Sequence, residues 1–316
     1  MQRERTPPLP ARAQAILNRL SGRPRVLADP VLDARLARDG FVRLPVLSPS
    51  GAAELREAFG TLHGWEGDGF EVDFWSPDPG YRREASELIA GHVDAALAAA
   101  FVDHEAFLRN FLVKWPGHRD PGGFPEAAHR DWMYTDERAG VRSYVAWIPL
   151  QDVLGDNGQL LVARGSHRIE AGIRGTNIDA PWLGHTDVWD ERLLAVPVRA
   201  GEAIVTDAAT VHGSFSNLSD EPRVVAAVAV RPAGAQLVHF RNLDGHRAAR
   251  FDVDPSFFLE QSAEALLREP PDRPIAEVVD IDGEELSPAE LAERLDRQPL
   301  VRRDRRHRQR AGALVR

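Results

Sequence analysis

Ser143-Tyr144-Val145-Ala146-Trp147-Ile148-Pro149-Leu150, followed by Asp156-Asn157-Gly158 and Gln159-Leu160-Leu161-Val162-Ala163, reads as strand, turn and strand. Asn-Gly is a turn signal because both residues tolerate positive φ, which β-branched neighbours do not. Working upstream, Phe107 to Trp115 has the apolar run of a buried strand and is closed by Pro116-Gly117. Working downstream, Leu194 to Val198, Ala203 to Thr206 and Arg223 to Val230 are three more short strand candidates. Helical patterns gather at the front. Val31 to Asp39 puts Leu32 and Leu36 one turn apart and stops at Gly40. After a loosely alternating Phe41 to Val46, Ser48 or Ser50 caps a helix carrying Ala53, Leu55 and Phe59 toward Leu62. Glu84 to Ala100 returns to helical spacing. The expected class is mainly β with flanking helices, as a sandwich or jelly roll.

The remaining stretches give less. Residues 1 to 12, rich in Pro and Arg, are expected to be disordered, with a short helix over Ala13 to Leu20. Gly64 to Tyr81 reads as a long loop, and Gly175 to Asp190 as a loop that can fold over a site. A helix is expected over Ser256 to Leu267, a strand over Ala276 to Ile281 and a capped helix from Ser287. Residues 301 to 316 form a basic, solvated tail. No internal repeat divides the chain, so a single domain is expected over its 316 residues.

Composition removes several functions. With no cysteine, disulfides, thiolate metal sites and cysteine nucleophiles are excluded. A net charge of −9 argues against a general nucleic-acid surface. No apolar run approaches the roughly 20 residues of a membrane span, and the start lacks a signal region, so a cytoplasmic setting is expected. Lys114 is the only lysine among many arginines.

Candidate chemistry begins at Ala128-His129-Arg130-Asp131-Trp132. In an extended segment, side chains at i and i+2 share a face, so His129 and Asp131 converge. His212, within Thr210-Val211-His212-Gly213-Ser214, offers a second imidazole. Two histidines and one carboxylate, with other positions open, suit non-haem Fe(II) and oxygen chemistry. Alone, a His-x-Asp triplet is common on solvated loops, and that reading stands until more residues are considered.

His129-Arg130-Asp131, Asn157-Gly158, Gly165-Ser166-His167, Gly201-Glu202, His212-Gly213-Ser214, Asn217 and Arg223 together resemble the phytanoyl-CoA dioxygenase family. The match runs from about Asp39 to Pro232 and is densest from His129 onward. The resemblance implies a double-stranded β-helix, a form of jelly roll, that uses Fe(II), 2-oxoglutarate and O2. It implies His129, Asp131 and His212 as iron ligands and Arg223 as the grip on the distal carboxylate of 2-oxoglutarate. A guanidinium matches a carboxylate with two charge-assisted hydrogen bonds and stays charged at any working pH. Ser214 shares the face of His212 and is placed to donate to the same carboxylate. Trp147 lines the co-substrate pocket or serves as core. Lys114 contacts the co-substrate or is a paired edge residue, and Tyr134 bonds the co-substrate or packs. Gly165-Ser166-His167 reads as structural, while His118 and His185 lie in loops that can flank the pocket.

Two positions depart from the family pattern. Arg130 fills the middle of His-x-Asp, where neutral residues are common, and Glu202 replaces an aspartate after Gly201. Asp131 is retained; a small residue there would leave room for chloride, so halogenation is disfavoured. The expected reaction is hydroxylation of a small organic molecule. Desaturation, epoxidation, cyclisation or use of an acyl thioester are variants of the same site. Outside the class stand a cupin-like isomerase with a histidine base and a ligand-binding barrel without turnover.

Overall fold

The computed structural model describes residues 24–117, 128–169, 172–178, 180–281 and 283–296. The expected N-terminal disorder and first helix, His118 and the basic tail all lie outside these residues. The strands in chain order are β1 (Phe41–Pro45), β2 (Phe70–Val72), β3 (His104–Lys114), β4 (Tyr144–Pro149), β5 (Leu160–Ala163) and β6 (Leu193–Ala195). They continue as β7 (Glu202–Asp207), β8 (His212–Ser214), β9 (Arg223–Pro232), β10 (Leu237–Asn242), β11 (Arg247–Val253) and β12 (Glu277–Asp280).

Three antiparallel sheets result, in the orders β1-β7-β4-β9-β3-β2, β6-β5-β8 and β10-β11-β12. Strand β9 shows why the first two form a closed core. Val224, Ala226, Val228 and Val230 face one way, into a cluster with Leu55, Phe59, Ile89, Val93 and Leu97 of the helices Pro49–His63 and Pro79–Ala100. The intervening Val225 faces the other way, joining Trp147, Leu160, Val162, Val198 and Ile204 between the two sheets. A period of two with apolar residues on both faces is what a strand buried on both sides requires. The small sheet therefore lies over the inner face of the large one, and the helices cover its outer face. This is a double-stranded β-helix with flanking helices, as the resemblance implies.

Local chemistry sets the helix ends. Asp29 accepts from the amides of Val31 and Leu32, and Gly40 closes that helix with φ of +80°. Ser48 and Asp78 cap the next two, each followed by proline at the first helical position. The third of these helices thus starts at Pro79, earlier than the expected Glu84. Other expectations need correction. The Gly64–Tyr81 stretch contains β2, paired along the edge of β3. Residues 175–190 contain a helix from Thr186. The single helix over Ser256–Leu267 is two, Phe257–Glu260 and Ala263–Arg268, because Ser262 recaps the chain by accepting from the Ala265 amide. The third sheet includes two strands, β10 and β11, that the pattern reading omits. No helix among the described residues is long and apolar enough to cross a membrane.

Candidate metal centre and its anion pocket

His129 pairs with His212 as an isolated antiparallel bridge at the edge of β8, each amide donating to the other's carbonyl at 2.9 Å. Direct opposition brings the imidazoles together, with ring centroids 4.4 Å apart. Asp131, two residues on, presents Oδ1 4.0 Å from His212 Nε2. One ligand atom from each of His129, Asp131 and His212 lies within 4.8 Å of the others. Two ligands opposed across one ion at about 2.1 Å span roughly 4.2 Å, so small side-chain rotations bring all three onto a single cation.

Two further observations fit a metal. His212 Nδ1–H donates to the Thr210 carbonyl at 3.0 Å, which leaves Nε2 as a lone pair aimed toward Asp131. Asp131 Oδ2 is buried and accepts no hydrogen bond among the described residues. A buried, unsatisfied carboxylate oxygen is costly, and a cation at the meeting point of the three side chains removes that cost. With two nitrogens and one carboxylate, the donor set is that of a non-haem ferrous site.

Inside the barrel a second group forms from regular strands. Lys114 and Arg223 are opposed in the β3–β9 ladder, and Phe70 opposes Lys114 across β2. Both cations are buried, at 0% and 1% exposure. Lys114 Nζ donates to the carbonyls of Phe215 (3.0 Å) and Ser214 (3.4 Å). The Arg223 guanidinium lies 5.4 Å from the Trp147 ring and 6.0 Å from Phe70, and Lys114 Nζ lies 5.4 Å from Phe70. Gly158 forms one wall. Its φ is +76°, and a Cβ there would lie 3.3 Å from both Arg223 Nε and the Phe215 carbonyl. Ser214, opposite Leu160 in β5, follows His212 on the inner face of β8 and is buried. Asn217 donates to the carbonyls of Lys114 and Glu221, both at 2.8 Å, and so fixes the loop that delivers Arg223.

Tyr134 is placed differently. Its ring packs 5.3 Å from Phe107 and 5.6 Å from Phe258, in a cluster that includes Ala229. Ala229 is six residues along β9 from Arg223, roughly 20 Å at about 3.3 Å per residue. Burial, with Asp131 nearby, pushes its phenol up, so it stays protonated. Of its two readings, packing is the one this placement favours.

Gly165-Ser166-His167 is structural. Gly165 has φ of +76°, and Ser166 Oγ donates to the Ala163 carbonyl (2.7 Å) while accepting from the Val211 amide (2.8 Å). His167 Nε2 meets the Ala37 carbonyl at 3.1 Å, and burial drives its pKa down to about 4, so the ring is neutral. His185 bonds the Leu286 carbonyl, and Leu286 belongs to a cluster with Trp182, Trp189 and Leu291. Trp65 lies under Arg56, Trp132 packs on Phe74 and His239, and Phe70 borders the two cations. Arg130 points away from the ligands, onto the Trp182 ring at 4.9 Å. Beyond it opens a cleft of about 1160 Å³ lined by residues such as Glu137, Arg142 and Arg174, and by none of the three ligands. Arg174 and Glu137 are the site-adjacent residues that motif reading does not reveal.

Residues 37–225 match the model of the phytanoyl-CoA dioxygenase (PhyH) family. Phytanoyl-CoA dioxygenase domain-containing protein 1 of Rattus norvegicus is 33% identical over 106 residues, covering 30% of this chain and 35% of that protein. The Danio rerio protein of the same description is 29% identical over 124 residues, covering 36% and 40%. The chain therefore matches well under half the length of these relatives. Among solved structures, the α-ketoglutarate-dependent epimerase SnoN from nogalamycin biosynthesis is 28% identical, covers 65% of this chain and 84% of its own, and has a TM-score of 0.45. The carbocyclase SnoK from the same biosynthesis is 24% identical with the same coverages and a TM-score of 0.46.

Proposed function

Because the chain belongs to the phytanoyl-CoA dioxygenase family of Fe(II)- and 2-oxoglutarate-dependent enzymes, we propose that it hydroxylates an unactivated C–H bond of a small organic metabolite. The carrying observation is the convergence of His129, Asp131 and His212 within 4.8 Å, with Asp131 Oδ2 otherwise unsatisfied. Bound there, ferrous iron with 2-oxoglutarate and O2 supplies the oxidising power, through decarboxylation of the co-substrate to succinate.

The chain's own residues do the rest. His129 and His212 offer neutral nitrogens and Asp131 a charge that partly balances the cation. The Thr210 carbonyl holds His212 in the tautomer that ligation needs. Arg223 takes the far carboxylate of 2-oxoglutarate, with Ser214 as a hydroxyl donor and Lys114 as a second positive charge. Because the two cations are opposed in one ladder, a single carboxylate can take charge-assisted bonds from both. Trp147 and Phe70 wall this pocket and keep it dry, which strengthens each charge-assisted bond. Strands are rigid carriers, so the distance from grip to metal is set by the barrel.

The same residues serve desaturation, epoxidation or cyclisation, depending on how a substrate is held. A free small molecule is the partner in this reading, in a cytoplasmic setting, with no role for nucleic acid or membrane. The test is succinate formation from 2-oxoglutarate with and without Fe(II), in the presence of candidate substrates. Fe(II)-dependent succinate is expected, and its loss in His129→Ala and Asp131→Ala. Undiminished turnover in either variant would refute the ligand assignment, and turnover of a substrate without Fe(II) or O2 would favour the isomerase.

A further inference from the structure

Between the His129 bridge and Asp136 the backbone runs outside any named strand. Yet Asp131 must hold its carboxylate at a fixed point if it is a ligand. Among the described residues, Arg174 reaches this backbone with its side chain. Its Nε donates to the Asp131 carbonyl at 2.9 Å, while its two terminal nitrogens form a fork on Glu137, Nη1 to Oε2 at 3.0 Å and Nη2 to Oε1 at 2.5 Å. Both side chains are buried, with 5% and 8% exposure. The Arg174 carbonyl also accepts from the Met133 amide at 3.2 Å, so the ligand segment is held on both sides of Trp132.

Arg174 is itself anchored from the third sheet. The Thr176 amide donates to the Phe240 carbonyl (2.8 Å), and the Asn242 amide to the Thr176 carbonyl (3.1 Å). Gly175 lies so close that a Cβ would come within 2.2 Å of the Phe240 carbonyl oxygen. A buried ion pair by itself does not stabilise a fold more than well-packed apolar residues do. The contact that an apolar pair cannot supply is the third one, from Nε to the peptide of Asp131.

We propose that Arg174, clamped by Glu137, is a positioning residue for the metal site, carrying the rigidity of the β10–β12 sheet to the Asp131 carboxylate. The proposal rests on the reading of Asp131 as a ligand. Fixing the Asp131 peptide plane fixes the direction of its Cα–Cβ bond and so the point its oxygens occupy. Partners of this kind change metal affinity by about 10–100-fold when removed.

The test titrates Co(II) into the full chain, following its visible absorption, for the parent protein and for Arg174→Met, Arg174→Lys, Glu137→Gln and His129→Ala. Thermal midpoints are recorded alongside, as is 2-oxoglutarate binding at saturating Co(II). Arg174→Met is expected to weaken Co(II) by about 10–100-fold, with a smaller loss in Arg174→Lys and Glu137→Gln and an unchanged 2-oxoglutarate affinity. A lowered midpoint with parental Co(II) affinity would overturn the proposal, leaving Arg174 a merely structural residue. Should Arg174→Met fail to fold, Arg174→Lys and Glu137→Gln decide by the same criterion. Parental Co(II) binding by His129→Ala would instead strike the ligand reading, whatever the Arg174 variants do.

Discussion

The two ends of the site, the ligand cluster at His212 and the buried cations beside Ser214, solve opposite problems. At the metal end, one imidazole is exposed, the Thr210 carbonyl orients the other, and the ligand segment is held by the bridge to His212, by Arg174 Nε on the Asp131 carbonyl and by the Met133 amide on the Arg174 carbonyl. At the anion end, Lys114 and Arg223 are fully buried, opposed as the last pair of the β3–β9 ladder. A ligand that must exchange solvent for metal can stand near the surface. A cation that selects a dicarboxylate acts best in a dry, rigid place. The difference teaches where substitutions act: changes at the metal end should cost function with little stability, and changes at the anion end should cost both.

The sharpest way to break that contrast is at the ligands. His129→Ala and Asp131→Ala should lower Fe(II)-dependent succinate formation by at least about a thousandfold, equivalent to roughly 4 kcal/mol of barrier. Because His129 is exposed and Asp131 Oδ2 is buried without a hydrogen bond, neither substitution should lower the unfolding free energy by more than about 0.5 kcal/mol. Denaturant melts alongside the assay check both parts.

Acid should expose the metal end's supports next. Burial lowers His167 and His239 to a pKa of about 4, well below the ordinary value of 6.5. For a group whose folded pKa is depressed, stability is present above the unfolded pKa and is lost as pH falls through the folded one. The window is therefore from pH 6.5 down to about 4, and each histidine contributes on the order of 3 kcal/mol. His239 packs 5.3 Å from Trp132, and His167 adjoins the serine that holds the Val211 amide. Melts in that window should steepen for the parent and flatten in His239→Gln. A flat parent profile would show that neither ring is kept neutral by burial.

At the anion end, Arg223→Met keeps most of the volume but removes the fork. It should raise the KM for 2-oxoglutarate by about 10–100-fold, as expected for charge-assisted bonds of roughly 1.5–3 kcal/mol, with a smaller change in kcat. Arg223→Lys should recover only part, since an ammonium lacks the planar fork. An unchanged KM would move the carboxylate grip to another residue. The smallest effect is expected at Gly158→Ala. Its positive φ and the 3.3 Å approach to Arg223 Nε predict a loss of about 1 kcal/mol, together with a modest rise in the same KM.

How far the sequence alone reads follows the same division. The anion end sits on β3, β4 and β9, long strands whose apolar runs and Asn-Gly turn are visible as pattern. Trp147, Lys114 and Arg223 fall on the inner face by simple alternation. The ligand triplet is legible through the i, i+2 rule although its segment is barely a strand. Tyr134 is not, because its surroundings come from Phe107 and Phe258, far apart in the chain. The third sheet shows how a signal is masked. Asp244-Gly245 between β10 and β11 is a hairpin signal, and Gly245 has φ of +89°. Arginines at 241, 247 and 250 interrupt the apolar alternation that would expose the strands. Strand β2 is three residues long, too short for any period. Arg174 carries no motif at all; only the folded chain brings it to Asp131.

The most direct test of the account is an anaerobic crystal structure of the full chain with Fe(II) and 2-oxoglutarate. Iron bound by His129, Asp131 and His212 is expected, with the distal carboxylate of the co-substrate on the Arg223 guanidinium. Iron on other side chains, or a co-substrate whose distal carboxylate points away from Arg223 and Lys114, would contradict it.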